Sequence, residues 1–121
     1  METETRLGNV FDPNCPSRVV LDRIAGKWTG MIVLALGEQT LRFGELRERI
    51  GGVAPKVLTQ TLRSMEDDGL VTRHIYAEVP PRVEYALTDL GRSLDEPLLA
   101  IQQWAERNVS TILSNRELAR R

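Results

Sequence analysis

The chain has few of the residues from which disulfides, metal sites and most active sites are built. It contains one cysteine, Cys15, and one histidine, His74, among 121 residues. A single cysteine cannot form an intrachain disulfide, and these two residues are too few for a structural zinc site. The sequence also lacks a nucleotide-binding glycine loop and a clustered nucleophile and base. We therefore expect no metal, no cofactor and no enzymatic activity.

Long hydrophobic runs are also absent. The most apolar run, residues 31–36, is far shorter than the roughly 20 residues of a membrane span. The first residues, METETRLGNVFD, lack the basic region and apolar core of a signal peptide. These absences predict a cytoplasmic protein without a membrane partner.

The chain has no excess of positive charge, but its charge is unevenly distributed. The net charge is -1, whereas many DNA-binding domains are strongly basic. Residues 40–63 nevertheless carry five basic and two acidic side chains, and residues 89–108 carry two basic and four acidic ones. The middle of the chain is therefore suited to face phosphate, and the C-terminal part is not.

The spacing of apolar residues predicts a series of helices in the first part of the chain. Residues 1–14 are polar and aperiodic, which indicates a mobile arm. Gly51 and Gly52 separate two of the helices by a short turn, which is the order of a helix-turn-helix. The predicted helices are 16–25, 28–36, 43–50 and the stretch 54–69, with an extended link at 40–42.

The helix predicted within 54–69 has two different faces. At about 100° per residue, one face is mainly apolar and the opposite face carries hydrogen-bond donors. Lys and Arg can bind guanine or phosphate, Gln can pair with adenine, and Thr can contact a base edge. The alternative is an ordinary solvated helix. The first face consists of Leu58, Thr61, Leu62 and Met65, and the second of Lys56, Gln60 and Arg63 with Thr59 beside them.

Two strands are predicted directly after this helix. Residues 70–77 and 83–87 have strand character, and the turn between them contains Pro80 and Pro81, which stiffen it. The pair is predicted to be a wing, with Arg82 at its tip. Arg82 is then a candidate for contact with the minor groove or a phosphate, and the alternative is a solvated turn residue.

A long final helix is predicted from Thr88, which is suited to cap it. Its apolar stripe extends further than a small domain can cover, which indicates a partner subunit. Residues 109–121 either extend this helix or fray. The stripe consists of Leu90, Leu94, Leu98, Ile101, Trp104 and Ala105.

The order of these elements resembles a known family. Three segments carry the resemblance: CPSRVVLDRIAGKWTGMIVLAL, LRFGELRERIGGVAPKVLTQTLRSMEDDGLVTR and YAEVPPRVEYALTDLG. Together they closely resemble the HxlR-type winged helix-turn-helix transcriptional regulators of bacteria. The resemblance covers residues 15–108. It implies a mainly α (α+β) fold, namely a winged helix-turn-helix with a two-stranded wing and a long C-terminal dimerisation helix.

The resemblance also implies a function. Members of the family are homodimers that place recognition helices in successive major grooves of an inverted repeat, and they dimerise through the first and last helices. In many members a cysteine before proline at the start of the first helix senses electrophiles or oxidants, and Cys15 matches it. Ala54 departs from the family pattern, because members often have Ser at this cap.

The prediction is therefore a homodimeric regulator, expected to be a repressor, that binds double-stranded DNA. Thiol modification of Cys15 by an electrophile or oxidant is the predicted control. The alternatives are an activator, control by a non-covalent small-molecule inducer, a structural Cys15, and a protein-interaction module with weak DNA binding. The predicted DNA contacts are Lys56, Thr59, Gln60, Arg63, Arg82 and Arg42, and the predicted dimer contacts are Val20, Leu21, Leu98, Ile101 and Trp104.

Overall fold

The computed structural model of the chain describes residues 8–120. Of the predicted arm, residues 1–7 lie outside this range, and residues 9–15 form hydrogen-bonded turns. The described chain forms the helices α1 (Pro16–Ile24), α2 (Lys27–Leu36), α3 (Phe43–Ile50), α4 (Pro55–Asp67), α5 (Asp89–Arg92) and α6 (Asp95–Ala119), and the strands β1 (Leu41–Arg42), β2 (Val71–Tyr76) and β3 (Arg82–Leu87). The fold class predicted from the sequence is confirmed.

The three strands form one antiparallel sheet in the order β1, β3, β2. β2 and β3 are the predicted wing hairpin, with Arg73 opposite Tyr85. The extended link predicted at 40–42 adds a third strand, since Leu41 pairs with Tyr85 and Arg42 with Glu84. A two-residue strand is too short to show the alternation by which strands are recognised in sequence.

The core lies between α2, α3, α4 and the inner face of the sheet. On α4, the predicted apolar face is buried at Leu58, Leu62 and Met65. Thr61 is half-buried, and its hydroxyl donates to the carbonyl of Val57 at 2.8 Å. The other buried apolar residues are Ile32, Val33, Leu36, Leu41, Leu46, Val53, Leu70, Val71 and Leu87.

The prediction of one continuous helix from Thr88 is wrong at its start. Thr88 caps the four-residue α5, where its hydroxyl accepts from the N–H of Gly91 at 3.0 Å and donates to the carbonyl of Gly69 at 2.6 Å. α6 begins only at Asp95. Pro97 accounts for the break, because in a continuous helix its ring would clash with the carbonyl of Ser93.

α6 lies against the core by one end only. Leu94 and Leu98 pack against the core cluster, and Leu98 lies close to Gly30 of α2. No residue of α6 is buried, and the helix continues through the segment predicted to extend or fray. No helix in residues 8–120 is long and apolar enough to cross a membrane.

Candidate DNA-binding surface

The turn between α3 and α4 depends on two glycines. Gly51 and Gly52 have φ of 71° and 79°, a conformation that side chains disfavour. The chain is then extended at Ala54, and α4 begins at Pro55. Proline suits the first helical position, because an N–H there would have no acceptor within the helix. Ala54 offers no side-chain acceptor, so the first amides of α4 remain free of a capping side chain.

α4 brings the predicted base-contacting residues onto one surface. Lys56, Gln60 and Arg63 are exposed on the side opposite the buried Leu58, and Thr59 is half-buried beside them. The burial of Leu58, Leu62 and Met65 fixes the rotation of the helix, so the polar face must project outward. Direct contact of these four residues with DNA stays a prediction.

The flank of α4 that faces the wing forms a polar cleft. The cleft has a volume of about 180 Å³ and lies between Arg63 and Glu66 of α4 and Arg73 and Tyr85 of the sheet. Arg73 forms an ion pair with Glu66, with 3.4 Å between Nε and Oε1. Burial raises the pKa of Tyr85, and the positive charges of Arg73 and Arg63 oppose that rise.

Arg73 and Tyr85 were not recognised as candidates from the sequence. Their relation becomes visible only in the register of β2 with β3, where they are direct partners. The nearest sequence signal was the alternation of Val83, Tyr85 and Leu87, which correctly places Tyr85 on the inner face of the wing.

Arg82 is held by neighbouring side chains. It begins β3 opposite Tyr76, and the turn before it is formed by residues 77–81. Its guanidinium lies 3.3 Å from a carboxylate oxygen of Glu78 and 3.5 Å from one of Glu84, and it stacks over the Tyr76 ring at 3.9 Å. Arg82 as a DNA contact stays a prediction, and such a contact requires release from these carboxylates.

Arg42 lies across a depression from the wing turn and Arg82. Its side chain is exposed, and its backbone N–H donates to Glu45 Oε1 at 2.8 Å at the start of α3. Arg42 and Arg82 line the same depression, together with Val79 at the wing turn. The structure therefore brings Arg42 and Arg82 near each other. They are separate from the polar face of α4, because Arg82 projects from the face of the sheet opposite to Arg73, and Arg73 lies beside α4.

Cys15 lies immediately before the first residue of α1. Its Sγ accepts the N–H of Asn9 at 3.2 Å and lies 3.1 Å from the hydroxyl of Ser17. The hydrogen bond with Ser17, followed by the one from Asn9, lowers the pKa of the Cys15 thiol, whereas desolvation and then the charge of Asp12 oppose this effect. Two further acidic residues of the N-terminal segment, Glu2 and Glu4, lie outside the described residues.

The predicted dimer contacts lie on exposed apolar surface, except for one. Val20 and Leu21 on α1 and Ile101 and Trp104 on α6 are exposed. Leu98 is half-buried against the core cluster. A groove of about 540 Å³ lies beside α1, lined by Pro16, Val19, Val20, Ile24, Asp68, Leu70, Leu90, Ser93 and Leu94. The role of Val20, Leu21, Leu98, Ile101 and Trp104 in dimerisation stays a prediction.

Comparison with known proteins supplies relatives for this fold and surface. The sequence profile of the HxlR-like helix-turn-helix family matches residues 23–112. The protein named as the uncharacterized HTH-type transcriptional regulator YtfH of Escherichia coli (strain K12) is 42% identical over 117 residues, which are 97% of this chain and 93% of YtfH.

Solved structures agree with this assignment. The structure of ytfH from Salmonella typhimurium, described as a transcriptional regulator, matches with a TM-score of 0.84 and 42% identity over 92% of this chain and 99% of that one. The redox regulator HypR in its oxidized form matches with a TM-score of 0.71 and 40% identity over 78% of this chain and 97% of HypR. The chain therefore belongs to the HxlR-like helix-turn-helix family and is a transcriptional regulator with a helix-turn-helix DNA-binding fold.

Proposed function

We propose that this regulator binds a specific duplex sequence as a homodimer and represses transcription by occupying that site. The observation that carries the proposal is the two-faced α4. Its apolar side is buried in the domain, and Lys56, Gln60 and Arg63 are exposed together on the other side. These are donor groups of the kind that read base edges and phosphates in the major groove.

The residues have different proposed roles. Gln60 and Arg63 contact base edges, Lys56 contacts a phosphate, and Thr59 contacts a base edge or a thymine methyl. Arg42 and Arg82 lie by the wing turn and are proposed to contact the flanking backbone or minor groove.

The proposed dimer uses the exposed apolar surfaces of α1 and α6. Two symmetric recognition helices that enter successive major grooves on the same side of the duplex require half-sites one helical turn apart, about 10 base pairs centre to centre. The expected operator is therefore an inverted repeat with that spacing.

Selection of bound fragments from random duplexes, followed by titration with Arg63→Ala, tests this proposal. We expect the selected duplexes to share an inverted repeat and the variant to lose about 1 to 3 kcal/mol of binding free energy. Loss of discrimination at one base pair shows that Arg63 reads a base, and uniform loss shows a phosphate contact.

Arg120→Ala is the charge-matched control, because Arg120 caps the far end of α6. Wild-type affinity in Arg63→Ala contradicts the assignment of the α4 face. A protein-interaction module instead predicts weak DNA binding that is nearly indifferent to salt, whereas phosphate contacts make the affinity fall steeply with salt.

Control by Cys15 is the second part of the proposal. It is supported by the lowered pKa of the thiol, since the thiolate is the reactive form, and by the similarity to HypR, which is described as a redox regulator. Cys15 is the only cysteine, so its products are an intersubunit disulfide, a mixed disulfide with a small thiol, or an alkylated thiol.

Operator titrations with and without diamide or a quinone, in the parent and in Cys15→Ser, test this control. We expect the reagent to change operator affinity in the parent only. An identical response in both proteins contradicts thiol control and favours a non-covalent ligand, for which the 540 Å³ groove beside α1 is available.

A further inference from the structure

The register of the sheet places Arg73 and Tyr85 side by side. They are partners in the antiparallel pairing of β2 with β3, so both side chains project from the same face of the hairpin. Val71 and Leu87, two positions nearer the domain on that face, are buried in the core. Arg73 and Tyr85 therefore lie where the inner face of the wing leaves the core and passes beside α4.

The polar cleft between α4 and the wing contains several hydrogen-bond donors for an anion. Its lining residues include Arg63, Arg73, Thr59 and Tyr85, whose side chains carry guanidinium or hydroxyl donors. Burial raises the pKa of Tyr85, so its hydroxyl is protonated and able to donate. The remaining charged group that lines the cleft is Glu66.

Glu66 forms a weak ion pair with Arg73 that another anion can replace. The ion pair between them is 3.4 Å long, and both side chains are more than a third exposed. Partly exposed pairs of this kind contribute little to stability, because water screens them. Arg73 can therefore exchange the carboxylate of Glu66 for another anion without disturbing the fold.

The geometry of a duplex indicates which anion reaches this cleft. Each sugar-phosphate strand separates a major groove from a minor groove. When α4 enters the major groove and the wing extends toward the adjacent minor groove, the strand between these grooves must pass between α4 and the wing. The cleft lies at that place.

We propose that the cleft binds one backbone phosphate of the DNA, with Arg73 as the charged donor and the hydroxyl of Tyr85 as a further donor. This inference rests on the proposed function, because it requires α4 to lie in the major groove. Arg63 lines the same cleft from the exposed side of α4 and remains able to reach a base edge. Glu66 orients Arg73 in the free protein and is replaced by the phosphate on binding.

The test measures dissociation constants over a series of salt concentrations for a mixed-sequence duplex and for the duplex recovered by selection. Arg73→Ala is expected to weaken binding to both at least about tenfold, since it removes a charge-assisted hydrogen bond. The slope of log affinity against log salt is expected to fall by about 0.9 for each cleft that holds a phosphate. Arg73→Lys retains most of the slope, and Arg120→Ala leaves affinity and slope unchanged.

Two further variants separate a phosphate contact from a structural role. Glu66→Gln is expected to tighten binding severalfold, because a negative charge leaves the cleft. Tyr85→Phe keeps the ring and removes only the donor, so it is expected to weaken binding severalfold and equally on both duplexes. These variants decide the matter if thermal unfolding shows that Arg73→Ala does not fold.

Wild-type affinity and slope in Arg73→Ala overturn the inference, and so does a loss confined to particular base pairs. Weaker binding by Glu66→Gln also overturns it, because the ion pair then acts by positioning the wing. If the parent protein binds no duplex, or binds without salt dependence, the proposed function itself fails. If the parent shows a steep salt dependence and Arg73→Ala has the same affinity and slope, only the inference of a phosphate site in the cleft fails.

Discussion

α4 and α6 are both amphipathic helices, but the domain covers only one of them. α4 has 13 residues and buries Leu58, Leu62 and Met65, whereas α6 has 25 residues and buries none. On α4 the exposed face is polar, and on α6 apolar residues such as Ile101 and Trp104 are more than half exposed. A face covered by its own chain stabilises the fold, while an uncovered apolar face is available for association with another chain.

The same contrast divides the rest of the molecule. α2, α3, α4 and the sheet supply the core, while α1 and α6 lie outside it with exposed apolar residues. Mutations in the inner group should therefore act on folding, and mutations in the outer helices should act on assembly. This difference can be tested with matched substitutions.

The largest expected effect is that of Leu58→Ala, compared with Leu113→Ala. Leu58 is 0% exposed and Leu113 is 56% exposed. Truncation of a buried leucine leaves a cavity and should lower the free energy of unfolding by about 2 to 5 kcal/mol. Leu113→Ala should change it by less than about 0.5 kcal/mol in the monomer. Denaturant unfolding at low protein concentration measures both, and equal losses would remove the distinction between the two helices.

Trp104→Ala in α6 is expected to affect assembly of the dimer and not folding. Trp104 is 54% exposed in the single chain, and buried tryptophans are frequent energetic centres of interfaces. We expect its removal to weaken a dimer by about 2 kcal/mol or more, with the unfolding of the monomer nearly unchanged. Sedimentation over a range of concentrations measures the association, with Gln103→Ala as the control. An unaltered dissociation constant would show that this part of α6 does not form the interface.

Ala54→Ser is expected to stabilise α4 itself. Ala54 already has the extended backbone of a helix cap, with φ of -70° and ψ of 143°, but it supplies no acceptor. A serine hydroxyl there can accept an N–H of the first turn and should add about 0.5 to 2 kcal/mol to the free energy of unfolding. Thermal unfolding measures the gain. Ala100→Ser on exposed α6 serves as the control, and no gain at residue 54 would mean that solvent already satisfies these amides.

The smallest expected effect concerns the start of α1. Ser17 and Asn9 lower the pKa of the Cys15 thiol, so the thiolate forms at lower pH than in an ordinary cysteine. Ser17→Ala removes the largest of these effects, and the rise of alkylation rate with pH should shift toward higher pH. Stopped-flow alkylation over a pH series measures this shift. The same pH profile in both proteins would show that Ser17 does not control the thiol.

Much of the fold could be predicted from the sequence because local signals agreed with the tertiary structure. The apolar spacing of α4 and the glycines at 51 and 52 correctly marked a helix and the turn before it. The break before α6 was missed, although Pro97 carried a signal for it. The polar face of α4 was predicted because helical periodicity alone determines which residues share a face.

The candidate site could be predicted only in part. The relation of Arg73 to Tyr85 and Glu66 was missed, since it depends on strand register and on how the wing packs beside α4. Arg82 was expected in the turn at the wing tip, whereas it begins β3 and is held by two carboxylates and a tyrosine ring. These contacts join residues whose pairing no local pattern specifies.

Most helices, the two wing strands and the polar face of α4 could be predicted from local patterns, because these properties depend on residues within a few positions of one another. The folded chain, in contrast, shows which apolar faces are covered, which charges are paired and how the wing lies beside α4. These depend on contacts between distant segments, whose geometry is set when the core packs.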